Sequence, residues 1–330
     1  MSQLDLFGAP APPPAAPKVG PAPHPPELHA LAGRLPAGLH LGTSSWSFPG
    51  WTGFVWDREV PESMLSKEGL SAYARHPLFR TVGVDRTYYA PVTAEVFRRY
   101  AEATPAPFRF LVKAAEGCVL ARFPHHARYG AQRGLENPRF LDAAWATDAV
   151  VQPFVEGLGK KAGPLVFQFP PQELSRLGGE QGFLEHLDRF LGALPRGPLY
   201  AVEVRNAALL GPDLAAVLQL HGAVPVLSAW GNLPDVERQA GLLSALQRQA
   251  LVVRWMLPPG VTYEEARSQF EPFSELAAPD PGTRGRIARL VRAFTQGNAR
   301  PAWVIVNNKA EGSSPLSVVE LARAVAGEAG

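Results

Sequence analysis

The stretch YAVEVR at residues 200–205 is a short apolar run that ends in charged side chains. The same pattern recurs along the chain. Four further runs end in charged or amide residues: 108–113, 165–168, 251–254 and 303–309. Runs rich in Val, Leu and Phe are typical of strands buried on both faces of a parallel sheet. Because the strands of a closed parallel barrel end at one mouth, the pattern predicts that these polar groups converge there.

Strands of this kind alternate with helical stretches over most of the chain. Strands are predicted at 40–44, 81–85, 108–113, 165–169, 200–205, 224–228, 251–255 and 303–307. Helices are predicted at 138–157, with Asn137 as N-cap, and at 181–194, 213–220, 234–249, 283–296 and 317–326. The alternation predicts an α/β fold, a single (β/α)8 TIM-type barrel. A doubly wound open sheet is the alternative, but no Gly-rich phosphate loop follows the first strand.

The N-terminal region has a different composition. Residues 8–36 hold ten prolines with alanine and glycine between them. Such a segment lacks the apolar side chains needed to form a core. We therefore expect a disordered Pro-rich tail over residues 1–38 and a folded domain over 39–330.

Charge and cysteine content limit the function classes. The net charge is +2, with 32 basic and 30 acidic residues, which argues against wrapping nucleic acid by bulk charge. Cys118 is the only cysteine, so no intrachain disulfide is expected. No signal peptide pattern is visible, and no apolar run approaches the roughly 20 residues that cross a bilayer. We expect a cytoplasmic protein with no membrane partner.

Side-chain alternation along each strand predicts which residues point into the mouth. If Leu111, Val166 and Val252 point inward, so do the polar residues two positions further on. The inward set is Asp85, Lys113, Gln168, Glu203, Arg205, Arg254 and Asn307. This set predicts a cationic pocket suited to phosphate or carboxylate, since Arg binds both in bidentate geometry.

Roles can be assigned within this set. Glu203, Asp85 and Lys113 are the catalytic candidates, and a structural Glu203–Arg205 ion pair is the alternative. Predicted ligand-binding residues are Arg205, Arg254, Gln168, Asn307, Asn308, Trp46 and Tyr89, the last two as stacking partners. No metal site is predicted, because the eight histidines are scattered, and no cofactor is predicted.

Several stretches resemble the DUF72 (YecE-like) family over residues 39–330. They are LGTSSWSFPGWTGFVW at 41–56, TYYAP at 87–91, FRFLVKA at 108–114, GPLVFQFPP at 163–171, AVEVR at 201–205 and VIVNNKAEGSSPLSVVELA at 304–322. The resemblance implies a TIM barrel with Gln168, Glu203, Arg205 and Asn307 at its mouth. It implies no reaction, because the activity of the family is largely unassigned.

The chain also departs from the family pattern at the strand ends. Polar family residues are replaced or missing at Gly83 and Asp85, after Lys113, at Asn206, at Ser228–Ala229 and at Trp255–Met256. These departures favour a divergent or binding-only role.

The first residues resemble the peptide by which bacterial polymerases and repair proteins bind the β sliding clamp. They are Gln3, Leu4, Asp5, Leu6 and Phe7, with Leu6 and Phe7 as apolar anchors for a groove. The alternative is that Leu4, Leu6 and Phe7 pack back onto the barrel.

The leading functional hypothesis combines these two features. It is a barrel that binds or processes DNA, with phosphate at the cationic mouth, while tethered to the clamp. The alternatives are a metal-independent enzyme acting on a small phosphorylated or carboxylated metabolite, and a non-catalytic scaffold.

Overall fold

Eight parallel strands follow one another in chain order around a closed barrel. A computed structural model describes residues 19–297 and 300–328. The strands are β1 (Leu39–Thr43), β2 (Phe79–Val84), β3 (Arg109–Lys113), β4 (Ala162–Phe169), β5 (Tyr200–Val204), β6 (Val224–Trp230), β7 (Leu251–Leu257) and β8 (Ala302–Val306). Parallel pairing of β1 with β8 closes the barrel. The predicted (β/α)8 barrel is confirmed, and each predicted strand is present.

Helices cover the outside of the barrel. They are α1 (Pro26–Arg34), α2 (Glu62–Glu68), α3 (Leu70–Tyr73), α4 (Ala94–Glu102), α5 (Glu116–Val119), α6 (Ala143–Ala146), α7 (Gln152–Leu158), α8 (Gly179–Ala193), α9 (Pro212–Leu220), α10 (Val236–Leu242), α11 (Tyr263–Phe270), α12 (Pro281–Thr295) and α13 (Ser314–Ala326). A π-helical segment, Thr147–Val151, joins α6 to α7. Among the described residues, no helix is long and apolar enough to cross a membrane.

The barrel interior is a small apolar core that supports the mouth. Its side chains belong to one cluster that includes Leu111, Val166, Ala201, Val226, Val252 and Ile305. At the opposite end, the rings of His40 and Trp303 stack with centroids 5.0 Å apart. The alternation predicted from the sequence is therefore the one observed, and residues two positions beyond the core residues point to the mouth.

The predicted boundary of the folded domain at residue 39 is corrected by the structure. Val19 and Leu31 are buried, at 1% and 3% exposed, and Pro21 forms an antiparallel bridge with Trp56. The segment 19–38 folds because Leu31 gives α1 an apolar face, which lies against α13. The prolines do not prevent this, since Pro26 occupies the first helical position, where no backbone N–H is needed. Residues 1–18 lie outside the described residues.

The predicted helix over 138–157 begins later than expected. Asp142 is the N-cap and accepts a hydrogen bond from Trp145 N at 3.0 Å. Asn137, the predicted cap, is buried and donates from Nδ2 to Gly117 O and Leu120 O at 2.9 and 2.7 Å. The segment between β3 and β4 buries this amide, whose hydrogen bonds hold the loop before α6 and do not cap a helix.

We expect the free energy of unfolding to decrease as the pH falls below about 6.5. Burial lowers the pKa of His24 and His76, and lowers the pKa of His40 to about 4. The folded state holds neutral rings, so the unfolded state binds more protons in this range. This stability is fully present above 6.5 and is lost as the pH falls towards 4.

Urea denaturation at pH 7.5, 6 and 5 measures this effect. The matched variant is His24→Gln/His76→Gln, in which the pH dependence should weaken because only His40 remains of the three. An unfolding free energy that is constant from pH 7.5 to 5 in the natural sequence would contradict the prediction.

Candidate functional site

Glu203 lies at the centre of the predicted site and is fully buried near the end of β5. Arg254 of β7, 1% exposed, donates from Nη1 to Glu203 Oε2 at 2.5 Å. Arg205 follows β5 and donates from Nε to Oε1 at 3.2 Å. The structure therefore places one carboxylate between two guanidinium groups.

Two neutral side chains add hydrogen bonds to this ion pair, whose Arg254 Nε has no partner among the described residues. Gln168 Oε1, from β4, accepts from Arg254 Nη1 at 3.0 Å and from Arg205 Nη2 at 3.3 Å. Ser228 of β6 donates from Oγ to the central carboxylate at 3.2 Å. Four consecutive strands, β4 to β7, thus contribute side chains to one network.

The charges in this network fix the protonation state of the carboxylate. Burial by itself raises the pKa of Glu203, but Arg254 and Arg205 outweigh it and lower the pKa to about 2. Burial likewise disfavours the charge on Arg254, yet Glu203 raises its pKa. Because Glu203 stays ionised near neutral pH, this geometry favours a structural ion pair over the predicted role as an acid or base.

Lys113 differs from the two arginines because its amine has no carboxylate bonded to it. It is 8% exposed, and Nζ lies 4.0 Å from the ring centroid of Tyr88. Within the residues described, no hydrogen bond or ion pair joins Nζ to another side chain. Burial lowers the pKa of Lys113 to about 8, although Asp85 opposes the shift.

Asp85 is the second carboxylate at the mouth and is only partly engaged. It follows β2, and its side chain is 32% exposed. Its Oδ1 lies 3.4 Å from Arg254 Nη2, a long and weak contact. Lys113, Arg205, Arg254, Glu203 and Asp85 are named the cationic mouth below, since three cations face two carboxylates.

Aromatic rings surround the cationic mouth. Trp230 lies against Arg205, with the guanidinium carbon 4.3 Å from a ring centroid. Tyr89 and Tyr263 are 65% and 55% exposed. Together with Tyr88, these residues form what we call the aromatic rim.

Sequence reasoning missed Tyr263 and Lys309 at this rim. Lys309 Nζ lies 4.0 Å from the ring centroid of Tyr263, and burial lowers the pKa of Lys309 to about 8. Tyr263 is the first residue of α11, for which no helix was predicted, and it directly follows Thr262, whose side chain forms a capping box with Glu265. That capping pattern was a readable signal for a helix there.

Three predicted ligand-binding residues have structural contacts instead. Trp46 is 5% exposed and packs edge-on against Tyr100, so its ring is not free for stacking. Asn308 is 1% exposed, and its Oδ1 accepts from Ser314 N at 2.9 Å, which holds the start of α13.

Asn307 is the third of these residues and is only half-buried. Its Nδ2 donates to Ser44 Oγ at 2.9 Å, and its Oδ1 accepts from Lys309 N at 2.9 Å. These contacts tie β8 to β1 and orient Lys309. Tyr89, by contrast, is exposed, and its predicted role as a stacking partner stays a prediction.

The structure bears on the prediction about metal binding but not on the clamp peptide. Across residues 19–297 and 300–328, no group of three or more His, Cys, Asp or Glu side chains is arranged to hold a metal ion. The predicted clamp peptide, Gln3 to Phe7, lies outside these residues.

A single (β/α)8 barrel with a charged network at the carboxyl ends of its strands defines the class of this protein. Its sequence matches the family model "Protein of unknown function DUF72" over residues 40–330. The chain belongs to the DUF72 family, as the resemblance predicted. No protein with a curated description matches it.

Two solved structures show the same fold. A DUF72 family protein from Enterococcus faecalis V583 is 15% identical with a TM-score of 0.60, covering 87% of this chain and 95% of that one. A DUF72 family protein from Thermotoga maritima MSB8 is 16% identical with a TM-score of 0.54, covering 86% and 97%. At this identity the likeness is one of fold alone.

We expect Glu203→Gln to reduce the free energy of unfolding by about 3–5 kcal/mol, because it leaves buried guanidinium charge without its counter-charge. Ser228→Ala is the control, since it removes one hydrogen bond and costs about 1 kcal/mol. The double variant Glu203→Leu/Arg254→Met removes both partners and should recover most of the loss.

Chemical denaturation at pH 7 measures all three variants. Because the pKa of Glu203 is lowered to about 2, the stability from the ion pair is present above pH 4.5 and is lost as the pH falls towards 2. An effect of Glu203→Gln no larger than that of Ser228→Ala would show that the ion pair does not hold the strand ends together.

Proposed function

We propose that the cationic mouth binds an anionic group, phosphate or carboxylate, of a ligand that enters at the carboxyl ends of the strands. The observation that carries this proposal is the unequal pairing of charges. Glu203 is shared by Arg254 and Arg205, and Asp85 makes only a long contact with Arg254. One positive charge is left over, on Lys113.

Donors for an anion are present at two positions. Arg205 is 14% exposed in its side chain, and it uses Nε and Nη2 on Glu203 and Gln168. Its Nη1 makes no hydrogen bond within the described part of the chain. Lys113 offers its ammonium group beside it, so an arginine and a lysine together supply charge-assisted hydrogen bonds.

The aromatic rim supports a ligand that carries a ring next to its anionic group. Tyr89 and Tyr263 present exposed aromatic surfaces on which a flat ring can stack. A base or another flat ring stacked on a tyrosine contributes about 1–3 kcal/mol in nucleic-acid complexes. A nucleotide combines such a ring with a phosphate.

DNA is the form of this ligand that the sequence favours. The peptide at residues 3–7 would hold the barrel at the sliding clamp and so raise the local concentration of DNA at a weak site. Residues 8–18 separate this peptide from the folded segment, and eleven residues span at most roughly 40 Å. The proposal therefore concerns DNA close to the clamp.

A small anionic metabolite is the second candidate, and one observation favours it. Lys113 and Arg205 are recessed, at 8% exposed and 14% exposed in the side chain. The phosphates of an intact duplex do not reach such a depth easily, whereas a small molecule or an extruded nucleotide does.

Inorganic phosphate should raise the thermal stability of the protein, and Arg205→Ala and Lys113→Ala should abolish the effect. At phosphate concentrations about 100 times the dissociation constant, the stabilisation is about 2.7 kcal/mol. The effect should weaken as the pH rises through 8, because Lys113 loses its proton there and its charge attracts the anion.

A thermal unfolding series at constant ionic strength checks this, with chloride replacing phosphate. Arg98→Ala on α4 is the control variant, since Arg98 is an exposed arginine that pairs with Glu95 on the same helix. Equal stabilisation of natural protein and Arg205→Ala would rule out the mouth as the anion site.

Purified full-length protein should bind the β sliding clamp with micromolar affinity, and Leu6→Ala/Phe7→Ala should remove binding by deleting both apolar anchors. Isothermal titration measures both. The matched control is Leu220→Ala, which removes an exposed leucine elsewhere. Binding that survives the double change, or no binding by the natural protein, would leave the small-metabolite function as the better candidate.

A further inference from the structure

We propose that the amino group of Lys113 forms an imine with an aldehyde or ketone group on the anionic ligand. This inference rests on the anion site proposed above and adds a covalent reaction to it. The substrate class is a carbonyl compound that carries a phosphate within a few atoms of the carbonyl carbon.

The position of Lys113 distinguishes it from the other lysines. The chain has six: Lys18, Lys67, Lys113, Lys160, Lys161 and Lys309. Lys67 and Lys160 are exposed, and Lys161 donates from Nζ to Ala101 O and Thr104 O at 2.5 Å. Lys113 and Lys309 lie at the mouth, each with Nζ over a tyrosine ring.

Two features make the amine of Lys113 a nucleophile. Its Nζ has no hydrogen-bond partner among the described residues, so its lone pair is not occupied once the proton leaves. Burial also disfavours its charged form, so that its pKa is lowered to about 8. A desolvated lysine near other cations is the arrangement in which lysine attacks carbonyl groups.

The reaction also requires that the ligand be held in a fixed orientation relative to Nζ, and Arg205 can hold it. Its guanidinium is one of the charges that act on Lys113, and it uses Nε and Nη2 on Glu203 and Gln168, which leaves Nη1 for a phosphate. A phosphate bound there would hold the carbonyl carbon near Nζ and make the attack effectively intramolecular. Lys309 Nζ lies over the ring of Tyr263, and the charges that act on it are those of Arg267, Glu271, Asp85 and Glu264.

The reaction balances without an oxidant or a reductant. The lone pair of neutral Nζ attacks the carbonyl carbon, the C–N bond forms, and the carbonyl π electrons move to oxygen. The two amine protons end on that oxygen, which leaves as water while the C=N bond forms. Asp85, partly exposed and at the end of the neighbouring strand, is placed to carry protons between nitrogen and oxygen.

Two kinds of ligand carry an aldehyde close to a phosphate. A small sugar phosphate has an aldehyde close to a phosphate. An abasic site in DNA has the same pair, because its ring-opened sugar exposes an aldehyde beside the backbone phosphates. The experiment uses one probe for each source.

The test is reductive trapping on the natural protein. Glyceraldehyde 3-phosphate and a single-stranded oligonucleotide with one abasic site are each incubated with the protein and cyanoborohydride at pH 7. The controls are glyceraldehyde, which lacks the phosphate, and an oligonucleotide with a tetrahydrofuran abasic analogue, which lacks the aldehyde. Peptide mass mapping then reads the modified lysines.

We expect at least one phosphorylated probe to modify Lys113 about tenfold more than Lys67 and Lys160, because lysines of ordinary pKa are almost fully protonated at pH 7. The pKa of Lys309 is also lowered to about 8, so labelling of Lys309 shows how much a lowered pKa contributes by itself. Labelling of Lys113 should depend on the phosphate and should fall in Arg205→Ala, whereas labelling of Lys67 should not. Trapping by the sugar phosphate alone indicates a metabolite, and trapping by the abasic oligonucleotide indicates DNA.

Lys113→Arg keeps a positive charge at the mouth and should remove the adduct, with circular dichroism confirming that the variant folds. Equal modification of Lys113 and Lys309, or labelling that does not depend on phosphate, would overturn the inference. The anion site and the imine can be tested separately. If phosphate stabilises the protein but Lys113 is not trapped, the anion site stands and only the imine is wrong. If phosphate has no effect either, both proposals are wrong.

Discussion

The buried ion pair between Glu203 and Arg254 is the constraint on which the mouth of this barrel depends. Neither residue has appreciable contact with solvent, and an isolated ion in such surroundings is several kcal/mol less stable than in water. Gln168, Ser228 and Arg205 add hydrogen bonds to the pair and so offset part of this cost, although Arg254 Nε is left without a partner in the part of the chain that the structure describes. Since these groups come from β4 to β7, the ends of four strands have to remain in register.

This constraint divides the charged residues at the mouth into two groups. Glu203 and Arg254 are occupied with each other, and their charges cancel at the floor of the site. Lys113, Asp85 and Arg205 lie nearer the surface and keep unused hydrogen-bonding capacity. Glu203, which resembles a catalytic group in the sequence, is thus part of a structural ion pair, while the residues at the edge of the network keep atoms available for a ligand.

The comparison with two other DUF72 proteins concerns the fold. Structures at 15% and 16% identity share the barrel, so the fold tolerates replacement of most side chains. A barrel of this type hosts many activities, and the activity follows from the strand-end residues and the loops that cover them. In this chain the segments that connect the strands contribute Tyr89 and Tyr263, the second of them from the start of α11.

The sequence by itself determined the barrel and the direction of the mouth residues. Alternation along a strand has a period of two, so the inward position of Glu203 and Arg254 follows from that of Ala201 and Val252. Local composition was a weaker guide at the N-terminus. There the prolines predicted a tail, but the folding of 19–38 depends on an apolar surface that only the assembled barrel provides.

Only the tertiary structure decided which polar residues are available. Asn308 and Trp46 look like binding residues in the sequence, yet each is buried by contacts with elements that are remote along the chain. Lys309 and Tyr263 meet across 46 positions, which no local pattern encodes. Hydrophobic alternation is a local property that sequence records directly, whereas hydrogen-bond partners and burial arise from contacts between distant segments and exist only once the chain has folded.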